Sequence, residues 1–389
     1  MINKSNSFIY FYTYFSADMI FVYTRSYLPI YFSNIISIDT TQLSFVLFLS
    51  YLALLLRPLI SIYFDRKNSK RKLLVILSGF AILVSFSLLI FSLHSTLLFG
   101  VFYAILLAFI SISTVGVNKI MISQSPDINS KNRSALLIQI GSISGSLLPI
   151  FIFLMSVDSS SNWNIFFMMG VILIIPLILS IFFLKDKPSE NYHAKDSKST
   201  KSSINKKPII LISLFLFLAY SDRLFSYSIK PWISTQTSTA FFSILWFFLI
   251  LIYTLGNVIG GIFLKKSSCK KTLLITTLII GIILFLVPFT NFLFFLVIYG
   301  AYFFISGLFL IKLIPFKMEF AQNKVFYYQL MTMFSILASI IFIPMGTYLY
   351  TYIETEIIIM ISGILIILSL IPIYFVKINK AESSNLIKI

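Results

Sequence analysis

Long apolar runs constrain this chain more than any other feature of its sequence. A helix of about 20 apolar residues crosses the hydrocarbon core of a bilayer, and the chain contains twelve such runs. Helices are expected because a backbone surrounded by lipid has to satisfy its own hydrogen bonds. We number the predicted helices spans 1 to 12; they cover residues 8–32, 42–63, 73–92, 96–120, 134–155, 164–184, 208–233, 241–264, 272–290, 292–314, 326–350 and 356–377.

The composition separates this chain from soluble proteins. Hydrophobic residues make up 58% of the 389 residues and charged residues only 11%, with a mean hydropathy of +0.97. That is too few charges for a water-facing surface, so we predict an integral, multi-pass protein surrounded by the lipid bilayer. The net charge of +17 does not indicate a nucleic-acid partner, because the basic residues lie in short clusters between apolar runs. No cofactor or metal is expected either: Cys269 is the single cysteine, and no cysteine–histidine cluster has metal-binding spacing.

One strongly polar stretch, from Lys185 to Lys207, divides the chain into two apolar halves. It contains seven lysines, three acids, six serines or threonines and a single aromatic residue, so it cannot bury enough apolar surface to fold. We predict a first six-helix bundle at residues 1–184, a linker at 185–207, a second bundle at 208–378 and a tail at 379–389. The predicted fold class is an all-α membrane protein, with twelve transmembrane helices in two pseudo-symmetric six-helix bundles. We expect a monomer.

Basic residues alternate between the two ends of the spans. The connections after spans 2, 4, 6, 8 and 10 carry lysine or arginine, whereas those after spans 1, 3, 5, 7, 9 and 11 carry none. By the positive-inside rule, both termini and the linker face the cytoplasm. We therefore place the protein in a bacterial-type cytoplasmic membrane.

The two halves carry related sequences in their first helices. Span 1 reads FSADMIFVYTRSYLPIY from Phe15, and span 7 reads YSDRLFSYSIKPW from Tyr220. When Asp18 is aligned with Asp222, Tyr23 aligns with Tyr227. The matching positions predict an internal repeat, which is how many transporters are built.

The layout and one loop resemble the major facilitator superfamily of secondary transporters. The loop after span 2 contains Asp65 and Arg66, followed by a basic run that includes Arg71. It is similar to the signature loop of that family, with both of the family's glycines replaced. The resemblance implies a twelve-helix transporter in which Asp65, Arg66 and Arg71 form a gating loop. After span 8, Leu264 stands where the acid of the loop would be.

Two further stretches are similar to the lactose-permease-like sugar symporters of that family. They are Pro29-Ile-Tyr-Phe, in span 1, and Leu55-Leu56-Arg57-Pro58-Leu59, in span 2. This similarity implies symport as the mode of transport.

Charged residues inside the spans are the candidate site. A charge at the bilayer centre costs roughly 2.5–3.5 kcal/mol on insertion scales, so its presence indicates a function. Asp18, Asp222, Arg223, Arg25 and Lys230 are predicted to face a central cavity and to bind substrate or couple protons. In the alternative interpretation the acids and arginines form structural pairs, Asp18 with Arg223 and Asp222 with Arg25. Lys230 alternatively extends to the outer interface.

Tyr23 and Tyr227 are the aromatic candidates for stacking on a solute, although interfacial anchoring explains many tyrosines equally well. Among these charged candidates, the three cations (Arg25, Arg223 and Lys230) outnumber the two acids (Asp18 and Asp222). This excess of positive charge favours a solute with a carboxylate or phosphate.

The predicted function is secondary active transport of a small polar or anionic solute by alternating access, with protons as the coupling ion for symport. The alternative is proton-driven efflux of a drug or metabolite. An alternative from another class is a non-transporting receptor or sensor with the same fold. No nucleotide loop, metal cluster or catalytic triad pattern occurs, so an enzyme is not expected.

Overall fold

A computed structural model describes residues 4–27, 48–66, 71–92, 95–125, 128–156, 163–182, 206–225, 229, 232–233, 239–264, 267–321, 325–349 and 352–377. The predicted linker and tail therefore lie almost entirely outside the described residues, and the predicted domain boundaries stay a prediction. Within the described ranges the side chains of Arg25, Arg66 and Arg71 are also not described.

Helices occur in the described part of every predicted span, and no strand occurs there. Their bounds are Lys4–Val22, Arg57–Arg66, Arg71–Phe91, Thr96–Gln124, Ile128–Ser156, Trp163–Ile172 and Ile175–Phe182 for spans 1 to 6. For spans 7 to 12 they are Lys206–Ala219, Thr239–Phe263, Cys269–Leu286, Phe292–Phe320, Val325–Leu349, Thr355–Leu368 and Leu370–Tyr374.

Eight stretches of the described residues are long and apolar enough to cross a membrane. They are Phe48–Asp65, Leu97–Ile122, Ser130–Phe153, Ile244–Phe263, Cys269–Phe289, Phe292–Phe320, Val325–Ile343 and Thr355–Tyr374, in spans 2, 4, 5 and 8 to 12. Spans 3 and 6 contain shorter apolar helices, Val75–Phe91 and Ile165–Ser180. Many large apolar side chains point outward, such as Phe91 and Phe263, both 77% exposed, as expected for helices that face lipid.

Local sequence explains several helix ends. The side chain of Asn291 accepts a hydrogen bond from the Phe294 amide and so caps the start of span 10. Span 6 is interrupted at Leu173 and Ile174, just before Pro176, which lacks the amide hydrogen that a continuous helix needs. Span 7 is different, because its helix ends at Ala219 and continues as a tighter 3-10 turn, Ser221–Leu224, with neither glycine nor proline.

Glycines bring helices together within each half. A Cβ atom on Gly141 or Gly145 of span 5 would lie within 2.3 Å of a carbonyl oxygen of span 1. A Cβ atom on Gly346 of span 11 would lie 1.7 Å from the carbonyl oxygen of Leu224 in span 7. The fifth helix of each half therefore packs with its backbone directly against the first helix, as small residues at regular spacing predict for helices in lipid.

The two halves touch near the ends of the spans that carry the basic residues, which we call the basic side. Tyr253 of span 8 donates a hydrogen bond of 3.4 Å to the side chain of Gln139 in span 5. The loop after span 2 contacts the start of span 11 through Asp65. The structure is therefore closed between the halves on the basic side.

Candidate functional site

A cavity of about 380 Å³ lies between the two halves, next to these contacts. Spans 1, 5, 7, 8, 9, 10, 11 and 12 all contribute residues to its lining. Its residues extend toward the side opposite the basic side, for example Tyr299 near the start of span 10. Both halves therefore surround one central cavity.

The structure brings three of the predicted site residues to this cavity. Asp18 of span 1 lines it from the first half, and Asp222 and Arg223 of span 7 line it from the second. The two aspartates that the repeat aligns thus face the same space. Both lie on the first helix of their half, which explains why one sequence pattern places both.

Asp222 lies on the 3-10 turn of span 7, and among the described residues only one of its oxygens has a hydrogen-bond partner. Tyr302 of span 10 donates a hydrogen bond of 2.7 Å to Oδ2 of Asp222. The other oxygen, Oδ1, is buried and has no hydrogen-bond partner among the described residues. A buried acceptor without a partner is costly, so this oxygen is available for a ligand or a proton.

Arg223 adds a positive charge beside Asp222. Its guanidinium lies 5.8 Å from the centre of the Tyr220 ring, within the range of a cation–π contact. Thr277 of span 9 also lines the cavity, and its hydroxyl is buried with no hydrogen-bond partner among the described residues. The cavity thus combines two carboxylates, a guanidinium and free hydrogen-bonding capacity.

Aromatic rings form much of the wall and were not predicted as site residues. Tyr299 and Tyr302 stack almost in parallel, with ring centres 5.8 Å apart, and Phe225 packs edge-on against Tyr302 at 6.0 Å. Trp246 of span 8 and Tyr253 also line the cavity. The spacing of three residues between Tyr299 and Tyr302 places both on one face of a helix, which is the signal that would have identified them.

Of the other residues predicted to bind substrate or couple protons, only Tyr23 has a described side chain, and it lies away from the cavity. Tyr23 is fully buried inside the first half, where its hydroxyl donates to the Phe166 carbonyl at 3.1 Å and its ring contacts Phe86. It does not line the cavity, because these packing partners hold it on the other face of span 1. Tyr227 and Lys230 lie outside the described residues, as does the side chain of Arg25.

Asp65 is held on the basic side by both halves. It forms an ion pair with Lys119 of span 4 and accepts hydrogen bonds from the backbone amides of Val325, at 3.3 Å, and Phe326, at 3.0 Å. These amides are at the start of span 11, where the helix dipole favours a negative charge. We call this arrangement of Asp65, Lys119 and the start of span 11 the Asp65 latch. The side chains of Arg66 and Arg71 lie outside the described residues.

Among the described residues, no group of histidine, cysteine and acidic side chains could hold a metal ion.

Comparisons with known proteins agree with this architecture. No protein-family model and no curated protein matches the sequence. Among solved structures, the chain is similar to a major facilitator superfamily transporter, FucP, in the outward conformation, with a TM-score of 0.70 and 13% identity over 96% of this chain and 98% of that one. It is also similar to the E. coli fucose:proton symporter, FucP, with a TM-score of 0.69 and 14% identity over the same shares.

The chain therefore has the major facilitator superfamily fold. This confirms the predicted fold class, an all-α membrane protein with twelve transmembrane helices in two six-helix bundles. The matched structures are those of transporters rather than enzymes.

Proposed function

We propose that this protein is a secondary active transporter that moves a small polar or anionic solute by alternating access, in symport with protons. The observation that carries the proposal is the central cavity. One carboxylate from the first helix of each half lines it, and the halves close it on the basic side. Rocking of the halves about such a midplane cavity would expose it to the other side.

Asp18 and Asp222 are the proposed proton-coupling or substrate-binding groups. A carboxylate inside the membrane is costly when charged and gains from taking up a proton or pairing with a ligand. Asp222 has an oxygen free for either role. Arg223 beside it is suited to an anionic or acceptor group of the solute.

The Asp65 latch is the proposed gate on the basic side. It joins an acid of the first half to backbone amides of the second half, so the halves cannot separate there while it is intact. Its ion pair with Lys119 holds Asp65 in position. We further propose that the basic side faces the cytoplasm, in a cytoplasmic membrane, and that the protein acts as a monomer.

Proton movement in inside-out vesicles tests the proposal. A pH-sensitive dye in the vesicle lumen reports proton movement when sugars, organic acids, peptides or drugs are added outside. Symport predicts that one solute acidifies the lumen, and that Asp18→Asn and Asp222→Asn each abolish the signal. Glu354→Gln, at an exposed position, is the matched control and should keep it. A signal that survives both aspartate changes would overturn the assignment of these residues.

Proton-driven efflux is the second candidate, and the aromatic wall of the cavity favours it. Stacked rings such as Tyr299 and Tyr302 suit an amphipathic drug or metabolite. In the same vesicles with an acidified lumen, antiport predicts that the added solute makes the lumen more alkaline. Tight solute binding without movement of solute or protons would instead indicate a sensor.

A further inference from the structure

A second polar cluster lies between the cavity and the basic side. Lys317 of span 10 and Gln329 of span 11 are both buried, with 7% and 1% of their surface exposed. Neither lines the central cavity. Lys317 follows the cavity residue Leu310 by seven positions, about 10 Å along a helix.

Within the part of the chain that the structure describes, the ammonium group of Lys317 contacts only neutral groups. It donates a hydrogen bond of 3.1 Å to the hydroxyl of Thr332 and lies 4.6 Å from the centre of the Tyr328 ring. Among the described residues, no carboxylate lies within ion-pair distance of it. A buried cation without an anionic partner is strongly unfavourable, so this group favours any anion that reaches it.

Gln329 has no hydrogen-bond partner at all among the described residues. Both its amide nitrogen and its amide oxygen are buried and unpaired. Each such group is less stable than one with a hydrogen-bond partner. The amide can therefore donate to a ligand as soon as one enters.

A second cation approaches this cluster from the other half. Arg57 begins the helix of span 2 that packs against span 11, and it donates from Nε to the hydroxyl of Ser111 at 3.3 Å. Arg57 and Lys317 come from opposite halves, so an anion that enters between the halves from the basic side meets one cation from each half.

We propose that Lys317, Gln329 and Arg57 form an oxyanion-binding site that opens toward the basic side, where they bind a carboxylate or phosphate group of the solute. Charge-assisted hydrogen bonds from two cations recognise such groups, and the amide nitrogen adds a third donor. The inference rests on the proposed function, since it is alternating access that opens the cluster. From this site we infer that the transported solute is a small carboxylate or phosphate.

Thermal unfolding of the full chain in detergent tests the site. The probes are sodium succinate and inorganic phosphate, titrated at constant ionic strength against sodium chloride, with sorbitol as the uncharged control. We expect one oxyanion to give a saturable rise in Tm, because a ligand that binds only the folded protein stabilises it. A rise in Tm with succinate would indicate that the site binds a carboxylate, and a rise with phosphate would indicate that it binds a phosphate group.

Three variants link this rise to Lys317. Lys317→Met should weaken the apparent affinity at least tenfold, whereas the exposed control Lys271→Met should keep it within about twofold. Asp65→Asn should strengthen the affinity several-fold, because loosening the latch raises the population of the open form. If Lys317→Met does not fold, Gln329→Leu takes its place, with the same direction of change.

Each outcome decides the inference. It is overturned if neither oxyanion raises Tm, if the rise is unchanged in Lys317→Met, or if Asp65→Asn weakens it. The proposed function is judged separately by proton flux in vesicles. Flux driven only by a neutral sugar, with no rise in Tm, would retain the transporter and remove the oxyanion site. A rise that depends on Lys317 without any flux would retain the site and remove the transporter.

Discussion

The two halves of the molecule differ most where their equivalent loops reach the basic side. In the first half, Lys119 of span 4 pairs with Asp65, and Asp65 also binds the start of span 11. In the second half, Lys312 of span 10 contacts the loop after span 8, as Lys119 contacts the loop after span 2, but Leu264 stands where the acid would be. Among the described residues, the ammonium of Lys312 donates only to the carbonyl oxygen of Ser267, at 3.5 Å.

This difference shows that a repeated fold need not have two equivalent gates. The lysine is present in both halves, whereas the acid that would join the halves is present in only one. Of the two loops, the first half's loop is therefore the one that supplies a carboxylate to the closed contact on the basic side. The central packing is different in this respect, because the glycine contacts between the fifth and first helices occur in both halves.

The largest effect is expected where the two halves are alike, at the glycine contacts. Gly346→Ala would place a methyl group 1.7 Å from the carbonyl oxygen of Leu224, and Gly145→Ala would place one 2.1 Å from that of Phe15. Because backbone atoms cannot move aside as side chains do, we expect each to lower the free energy of unfolding by about 3 kcal/mol. Thermal unfolding of the purified protein measures this.

Gly300→Ala is the matched control for these substitutions. Its new methyl group would meet its nearest neighbour, the side chain of Ile252, at 3.6 Å, which is an ordinary contact. Alanine also favours a helix over glycine, so Tm should stay the same or rise. Equal tolerance of Gly346→Ala and Gly300→Ala would contradict the close packing of spans 7 and 11.

The next largest effect is expected from exchanging the acid between the halves. Asp65→Asn removes the charge that pairs with Lys119, and Asp65 is only partly exposed, at 16% of its side chain. Loss of this pair should favour the form that is open on the basic side by about 1–2 kcal/mol, a discounted figure for a partly exposed pair. Leu264→Asp adds an acid near Lys312 and should favour the closed form.

Labelling of a cavity cysteine measures this shift. In a Cys269→Ala background, Ser142→Cys lines the cavity, and a membrane-impermeant thiol reagent added to inside-out vesicles reaches it only from the basic side. We expect roughly tenfold faster labelling with Asp65→Asn and a partial return to the original rate when Leu264→Asp is added. Unchanged labelling in Asp65→Asn would show that the latch does not hold the halves together.

A smaller effect is expected from removing the equivalent lysines. Lys119→Met leaves Asp65 with backbone amides alone and should lower Tm by a few degrees, equivalent to about 1 kcal/mol. Lys312→Met removes a buried cation for which the described residues offer only a carbonyl, so Tm should be unchanged or higher. A greater loss of stability from Lys312→Met than from Lys119→Met would contradict the conclusion that the lysine of the first half is the better paired of the two.

Much of the fold could be predicted from the sequence, because it follows from the apolar runs and the alternation of basic loops. Asp18 and Asp222 could be placed in one cavity for a similar reason, since the repeat aligns them on the first helix of each half. Both predictions depend on patterns along the chain. These patterns can be recognised in the sequence without knowing how the helices pack against one another.

Residues whose role depends on packing between helices could not be predicted in this way. Tyr302 contacts Asp222 although the two are 80 residues apart, and the bond between them exists only because spans 7 and 10 meet at the cavity. Tyr23 shows the reverse case. Its position on span 1 predicted that it would line the cavity, but its ring packs inside the first half. The direction in which one helix face points is set by its neighbours, which the sequence does not show.

The smallest effect is expected from two tyrosine hydroxyls that distinguish the surroundings of the two aspartates. Tyr302→Phe removes the hydrogen bond to Asp222, so this carboxylate would no longer be held toward the cavity. Tyr14→Phe removes a bond of 2.7 Å to the side chain of Asn118, which lies outside the cavity lining. Tyr302→Phe should raise the KM for the solute about fivefold, which corresponds to about 1 kcal/mol, the net contribution of a typical hydrogen bond. Tyr14→Phe should leave the KM unchanged and lower Tm slightly. Proton flux against solute concentration measures both constants, and an equal rise in KM for the two variants would mean that Tyr302 acts only through stability.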